Sequence, residues 1–256
     1  MIHPTALVDQ KARIADGASI GPFTVIGPDV EIGEGCWIGP HVVINGPTTI
    51  GRHNKIFQFA SVGEACQDLK YKGEPTRLII GDHNTIREGA TLHRGTIQDK
   101  GETRVGNHCL LMAYTHVAHD VIVGDHVILA NSAGLAGHVK VGDYAIVGGH
   151  SGVHQFVSIG EHTFIGAGST VLKDVPAFVT VQGYPAAPHG MNTEGLRRRG
   201  FSAEAIKALR NAYKTVYRQS KTTKAALAEL APVAEQFPEV ALFVRSIETA
   251  SRGIVR

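Results

Sequence analysis

An aliphatic residue returns every six positions along most of this chain. From Ile2 the step of six lands on Val8, Ile14, Ile20, Ile26, Ile32, Ile38, Ile44, Ile50, Ile56 and Val62. It resumes at Ile80, Ile86 and Leu92, and runs again from Val105 through Leu111, Val117, Val123, Leu129, Leu135, Val141, Val147, Val153, Ile159, Ile165 and Val171. An α-helix brings an apolar face round every ~3.6 residues, so a period of six excludes one. It selects a short strand followed by a sharp corner. Three strand-and-corner units close a triangular coil of 18 residues, and coils stacked at strand spacing build a parallel β-helix of nearly nine coils, about 40 Å tall. The residue after the index is most often Gly, as in Ile20-Gly21, Ile32-Gly33, Val141-Gly142 and Ile165-Gly166. These glycines are expected to let the corner adopt backbone angles closed to other residues. Four residues past the index the side chain is small or short (Ala18, Thr24, Cys36, Thr48, Ser169). An aromatic content of 6% and 30 glycines fit the same narrow layers.

Two segments break the register. The stretch between Val62 and Ile80 and the one between Leu92 and Val105 are polar and irregular, and predict loops over 64–77 and 96–104. Long loops on a rigid scaffold commonly carry function. After Val171 the hexads stop, and Pro176, Pro185 and Pro188 mark a linker. The division is therefore a β-helix over 1–188 and an α-helical domain over 189–256. In the latter, Ser202 is a candidate N-cap ahead of apolar Ile206, Leu209, Tyr213, Val216 and Tyr217, Pro238 opens a helix and Gly253 closes one.

Charge is divided unevenly. The chain carries +2 overall, yet residues 189–256 hold 12 Lys and Arg against 6 acids while residues 1–188 hold 13 against 17. A basic tail is either solvated surface or a dock for something acidic. No apolar run reaches the ~18–20 residues of a membrane span, and the N-terminus has no secretory pattern. Three widely spaced cysteines without a CxxC pair point to a reducing compartment, hence the cytoplasm. Neither a nucleic-acid partner nor a membrane span is expected.

The 18-residue coil turns sequence separation into position. Asp120 falls beneath His138, His119 beneath Gly137 with Gln155 above, and Ala118 beneath Ala136 and His154. Across the second break Leu92 comes one coil below Val117, which sets His93 under Ala118; the same count puts Val62 two coils below Leu92. One edge then gathers His93, His119, Asp120, His138, His154 and Gln155, with His116 close by in sequence and the first loop rooted beside it. Imidazole accepts a proton near neutral pH, a carboxylate beside it fixes its tautomer, and a backbone amide such as that of Gly137 donates to an oxyanion. These are the parts of acyl transfer to a hydroxyl. Single histidines elsewhere (His41, His53, His126) are expected at solvated corners.

The segments HVAHDVIVG, LAGHVKVG, VHQF, QDLKYKGEPT, LHRGT and NTEGLRRRGFS, in this order, resemble the bacterial UDP-N-acetylglucosamine 3-O-acyltransferases of lipid A biosynthesis over essentially the whole chain. The resemblance implies a left-handed β-helix, a homotrimer with active sites between subunits, and transfer of an (R)-3-hydroxyacyl group from acyl carrier protein to the 3-hydroxyl of UDP-N-acetylglucosamine. It gives His119 the role of general base, Asp120 that of its orienter and Gly137 that of oxyanion donor. By the same resemblance His93, His116, His138, His154 and Gln155 line the cleft, Asp68 meets the sugar with Lys70 nearby, and Asn192, Glu194, Arg198 and Arg199 reach the nucleotide. Ala167 falls where the family measures acyl length. No metal or redox cofactor is implied. The rival readings are a zinc lyase resembling γ-class carbonic anhydrases, with the same histidines as ligands, a sister N-acyltransferase, whose extra N-terminal domain leaves no room for hexads starting at Ile2, and a non-catalytic prism.

Overall fold

The computed structural model describes residues 1–256. The hexads form a three-sided left-handed parallel β-helix. The first sheet has nine strands, from Leu7–Val8 to Thr170–Val171. The second has eight, from Arg13–Ile14 to Ser158–Ile159. The third has ten, starting at Ser19–Ile20. The register follows the period: Val117 pairs with Leu135 and Leu135 with Val153. From Ile20 onward every index residue is at most 3% exposed, so the column of aliphatic side chains is the core. Ile2 is 49% exposed, since no coil covers it.

Three expectations about the coil need correction. Val62 pairs directly with Leu92, one coil apart and not two, because the first loop lies entirely within a single turn of the prism. The loops themselves occupy residues 65–76 and 94–101: Glu64 ends the strand Ser61–Glu64, Arg77 opens Arg77–Ile80, and Glu102 opens Glu102–Val105. Apart from Gly63 (φ 77°), the glycines after the index do not provide the unusual backbone. That conformation falls two residues later, on side chains such as Phe23 (φ 58°), Asp120 (φ 58°), His138 (φ 63°) and Phe156 (φ 65°). The index-following glycines answer to a close approach instead. A Cβ on Gly33 would stand 2.5 Å from the Gly51 carbonyl oxygen, and one on Gly142 would stand 2.7 Å from the Glu161 nitrogen.

The left-handed corner residues stack from coil to coil. On the edge between the second and third sheets His53, His83, His108, His126, Tyr144, His162 and Phe178 form one ladder, with centroids 4.6–5.3 Å apart. Phe23, His41 and Phe59 stack likewise on the edge between the third and first sheets. His41, His53 and His126 are therefore rungs of ladders on exposed corners.

The tail caps the prism. Strand Val179–Gly183 extends the third sheet and pairs antiparallel with Ala186–Met191, so the expected division after residue 188 runs through a strand. Four helices follow: α1 (Thr193–Arg198), α2 (Ala203–Tyr217), α3 (Thr223–Gln236) and α4 (Pro238–Glu248). The Ser202 hydroxyl caps α2 by accepting the Ala205 N–H at 3.1 Å, and α2 buries Ile206, Leu209, Tyr213 and Val216. Pro238 is the first residue of α4. Gly253 stops no helix. It lies at φ 67° in the C-terminal segment, which buried Asp174 fastens to the prism by accepting the Ser158, Ser251 and Arg252 N–H groups. No helix is long and apolar enough to cross a membrane.

Candidate active site

Both loops leave from the edge between the first and second sheets, and the corner 118–121 lies on that edge between the strands His116–Val117 and Ile122–Val123. There the His119 Nδ1 lies 2.8 Å from the Asp120 Oδ2. The pairing turns His119 Nε2 toward Gly137 in the coil above, where a Cβ would stand 2.6 Å from it. The Gly137 N–H makes no hydrogen bond within the chain. An imidazole, the carboxylate paired with it and a free amide donor thus meet at one point.

Burial and hydrogen bonding pull the Asp120 carboxyl in opposite directions. Its side chain is only 1% exposed, which favours the neutral acid. Hydrogen bonds from His119 and from the Thr96 hydroxyl and amide outweigh this and hold its pKa below the usual range. His93 is 4% exposed. Burial, with His116 and His119 adding to it, lowers its pKa to about 4. His116 is lowered too, first by burial and then by His119, and its Nδ1 lies 2.8 Å from the Thr91 Oγ1. The site thus holds His93 as a neutral imidazole at neutral pH.

A cleft of about 600 Å³ opens in front of these groups. His93, His116, His119, Gly137, His154 and Asp68 line it, together with Gln67, Thr170 and Leu172, which the sequence did not single out. Its floor passes over Gly134 and Gly152, where a Cβ would meet only open space. The outer face of the first sheet is bare backbone there, which leaves a groove along it.

The remaining expected residues lie elsewhere. His138 stands behind His119, edge-on at 5.1 Å, stacked on Phe156 and 3.3 Å from Asp99 of the second loop. Gln155 and Lys70 are exposed and do not line the cleft; the Lys70 N–H donates to Asp68 Oδ1 within the loop. Ala167 is exposed on the edge between the third and first sheets, two residues past Ile165. The four tail residues belong to another edge altogether. The Asn192 amide donates to the His162 carbonyl at 2.9 Å and its oxygen caps α1. Glu194 pairs with Arg198 at 3.1 Å. Arg199 lies over the Tyr144 ring and donates to the Tyr144 carbonyl. Within one chain, none of the four lines the cleft.

Ligand atoms of His119, Asp120 and His138 lie within 4.8 Å of one another, the spacing of a metal group. Both Asp120 oxygens already accept hydrogen bonds, Oδ1 from the Thr96 amide and Oδ2 from the Thr96 hydroxyl and His119. That donor set suits a carboxylate orienting a base better than one held open for a cation.

The sequence pattern described as "Udp N-acetylglucosamine O-acyltransferase; Domain 2" matches residues 174–255, and the bacterial transferase hexapeptide pattern matches 11–46, 29–56 and 102–137. A protein of Stutzerimonas stutzeri named acyl-[acyl-carrier-protein]–UDP-N-acetylglucosamine O-acyltransferase is 62% identical, over 100% of this chain and 99% of its own. The chain belongs to the UDP-N-acetylglucosamine O-acyltransferase family. Solved structures of the acyltransferase family agree. LpxA from Acinetobacter baumannii is 52% identical with a TM-score of 0.98, covering 100% of this chain and 99% of that one. The UDP-N-acetylglucosamine acyltransferase of Arabidopsis is 38% identical with a TM-score of 0.86 over 100% of both. The fold and the acyltransferase assignment therefore rest on whole-chain similarity.

Proposed function

We propose that the protein transfers an (R)-3-hydroxyacyl group from acyl carrier protein to the 3-hydroxyl of UDP-N-acetylglucosamine, the first step of lipid A biosynthesis, with His119 as general base. The observation that carries the chemistry is the alignment of the His119–Asp120 pair with the free Gly137 amide inside the cleft. His119 Nε2 takes the proton of the sugar hydroxyl as its oxygen attacks the thioester carbonyl carbon. The oxyanion that forms accepts the Gly137 N–H. Collapse breaks the C–S bond, and the carrier thiolate leaves with the proton His119 holds. Asp120 fixes the imidazole with Nδ1 protonated and stabilises the cation between the two transfers. The groove over Gly134 and Gly152 suits an acyl chain.

The tail residues support the oligomer. Asn192, Glu194, Arg198 and Arg199 lie away from the cleft of their own chain, so contact with the same nucleotide requires a neighbouring subunit. A homotrimer with shared sites meets that need. The basic tail complements an acidic carrier protein, and three free, buried cysteines accord with the cytoplasm.

The test is incubation with UDP-N-acetylglucosamine and a panel of 3-hydroxyacyl carrier proteins, with the product read by mass. One added acyl group at the 3-position is expected, and turnover should survive chelation. Absence of product with every donor, or activity that needs stoichiometric zinc, overturns the reading.

A further inference from the structure

The second loop interrupts the coil at the edge that carries the His119–Asp120 pair. It turns at Gly95, where a Cβ would stand 2.3 Å from the Glu102 nitrogen, so only glycine lets the chain pass so close. The next side chain, Thr96, is driven inward and is 2% exposed, while Ile97 beside it is 60% exposed. Thr96 grips Asp120 at both oxygens: its N–H donates to Oδ1 at 2.9 Å and its hydroxyl to Oδ2 at 2.6 Å. Oδ2 is also the oxygen that faces His119 Nδ1. From below, the Asp120 N–H donates to the Thr103 hydroxyl at 2.8 Å. The corner residues of the aromatic ladders turn their rings toward the next coil; Asp120, in the same left-handed backbone, is instead roofed by the loop.

We propose that Thr96 is a positioning residue for the acyl transfer, its hydroxyl holding the Asp120 carboxylate in the plane that fixes the His119 ring. This rests on the reading of His119 as general base. A carboxylate this deeply buried has few ways to keep its orientation, and two donors from one residue determine both oxygens at once. Without the hydroxyl, Oδ2 keeps His119 as its one hydrogen-bond partner, with His138 Nε2 at 3.8 Å, and the carboxylate can rotate about its remaining amide bond. The cost should then fall on turnover, since Thr96 is buried and does not line the cleft.

A kinetic cycle tests this. Thr96→Val and Thr96→Ser are made in the wild-type chain and in an Asp120→Asn background, and kcat and KM for UDP-N-acetylglucosamine are measured for each. Thr96→Val in the wild-type background should lower kcat by about ten-fold or more, the size expected for losing a hydrogen bond to a charged group, with KM nearly unchanged. Thr96→Ser should restore most of the rate. In the Asp120→Asn background Thr96→Val should cost little further, because the group it acts through is already altered. Wild-type kcat in Thr96→Val, or an equal loss in both backgrounds, overturns the proposal; equal losses are what a merely structural residue produces. Should Thr96→Val fail to assemble, Thr96→Ala, which keeps the backbone donor, reads the same cycle. His119→Ala separates the two claims. A fully active His119→Ala removes the base reading itself, whereas a dead one beside an indifferent Thr96→Val removes only the role of Thr96.

Discussion

The His119 imidazole rests on Gly137, in the coil above it, so closely that a Cβ there would stand 2.5 Å from its Cε1 and 2.6 Å from its Nε2. The glycine therefore serves twice: its N–H is free to donate, and its missing side chain leaves the ring its place. Gly137→Ala keeps the backbone N–H but should push the ring off its line with Asp120, and should lower kcat by roughly a hundred-fold, the size expected when a catalytic group is misplaced by about an ångström. Thermal stability should change little, since the ring can swing into the cleft. Near-normal turnover in this variant would count against the site geometry.

His119→Ala should abolish measurable turnover while the protein stays folded, and Asp120→Asn should leave a low residual rate because the base survives without its orienter. Steady-state kinetics beside circular dichroism and light scattering decide both.

Acid should weaken the fold through its buried imidazoles. Burial lowers His93 to about 4; burial, then the Arg199 guanidinium, lowers His162 to about 4 as well, and its Nδ1 has no partner. Between the ordinary value of ~6.5 and about 4, the unfolded chain binds protons that the folded chain refuses. This stability is complete above pH ~6.5 and drains away as pH falls toward 4. Tm should drop between pH 7.5 and pH 4.5, and His93→Gln should flatten the slope of Tm against pH. An unaltered slope would remove His93 as its source.

The proposed sharing of each site between subunits predicts complementation between defective chains. Arg198→Ala, which removes a forked phosphate donor, should lose most activity, as should His119→Ala. Trimers reassembled from a mixture of the two should recover a measurable fraction, since some sites then combine an intact His119 with an intact Arg198. No recovery in mixed assemblies would place both residues in one chain's site or exclude Arg198 from it.

Ala167 is expected to bear on acyl length. Ala167→Met should shift preference toward shorter 3-hydroxyacyl donors in a panel of carrier-protein thioesters, and unchanged selectivity would dismiss the assignment.

Much of the architecture is legible without coordinates. A strict period of six, with coils of 18, fixes which residues lie above one another. The columns of His119 and Gly137, and of Asp120 and His138, follow from counting alone, and so does the edge of the first loop; that the second loop leaves from the same edge is seen in the structure. Helix starts at Ser202 and Pro238 were readable from capping chemistry. The misreadings have physical causes. Counting residues from Val62 to Leu92 gives two coils where there is one, because an extruded loop adds residues without adding height. By position alone the glycines after each index suggest conformational devices. In fact they clear space for the neighbouring coil, and the left-handed corner is occupied two residues later by His, Phe, Tyr and Asp.

What the sequence alone determined is therefore the prism, its aliphatic core and the side chains along each edge, because a regular winding converts residue number into height. Tertiary structure alone decided how the loop returns: Thr96 onto Asp120, Asp99 against His138, and the tail against the opposite ladder at Tyr144 and His162. These contacts pass through segments with no period. Their positions come from close approaches such as Gly95 against Glu102 and from buried polar groups finding partners, and no count along the chain predicts either.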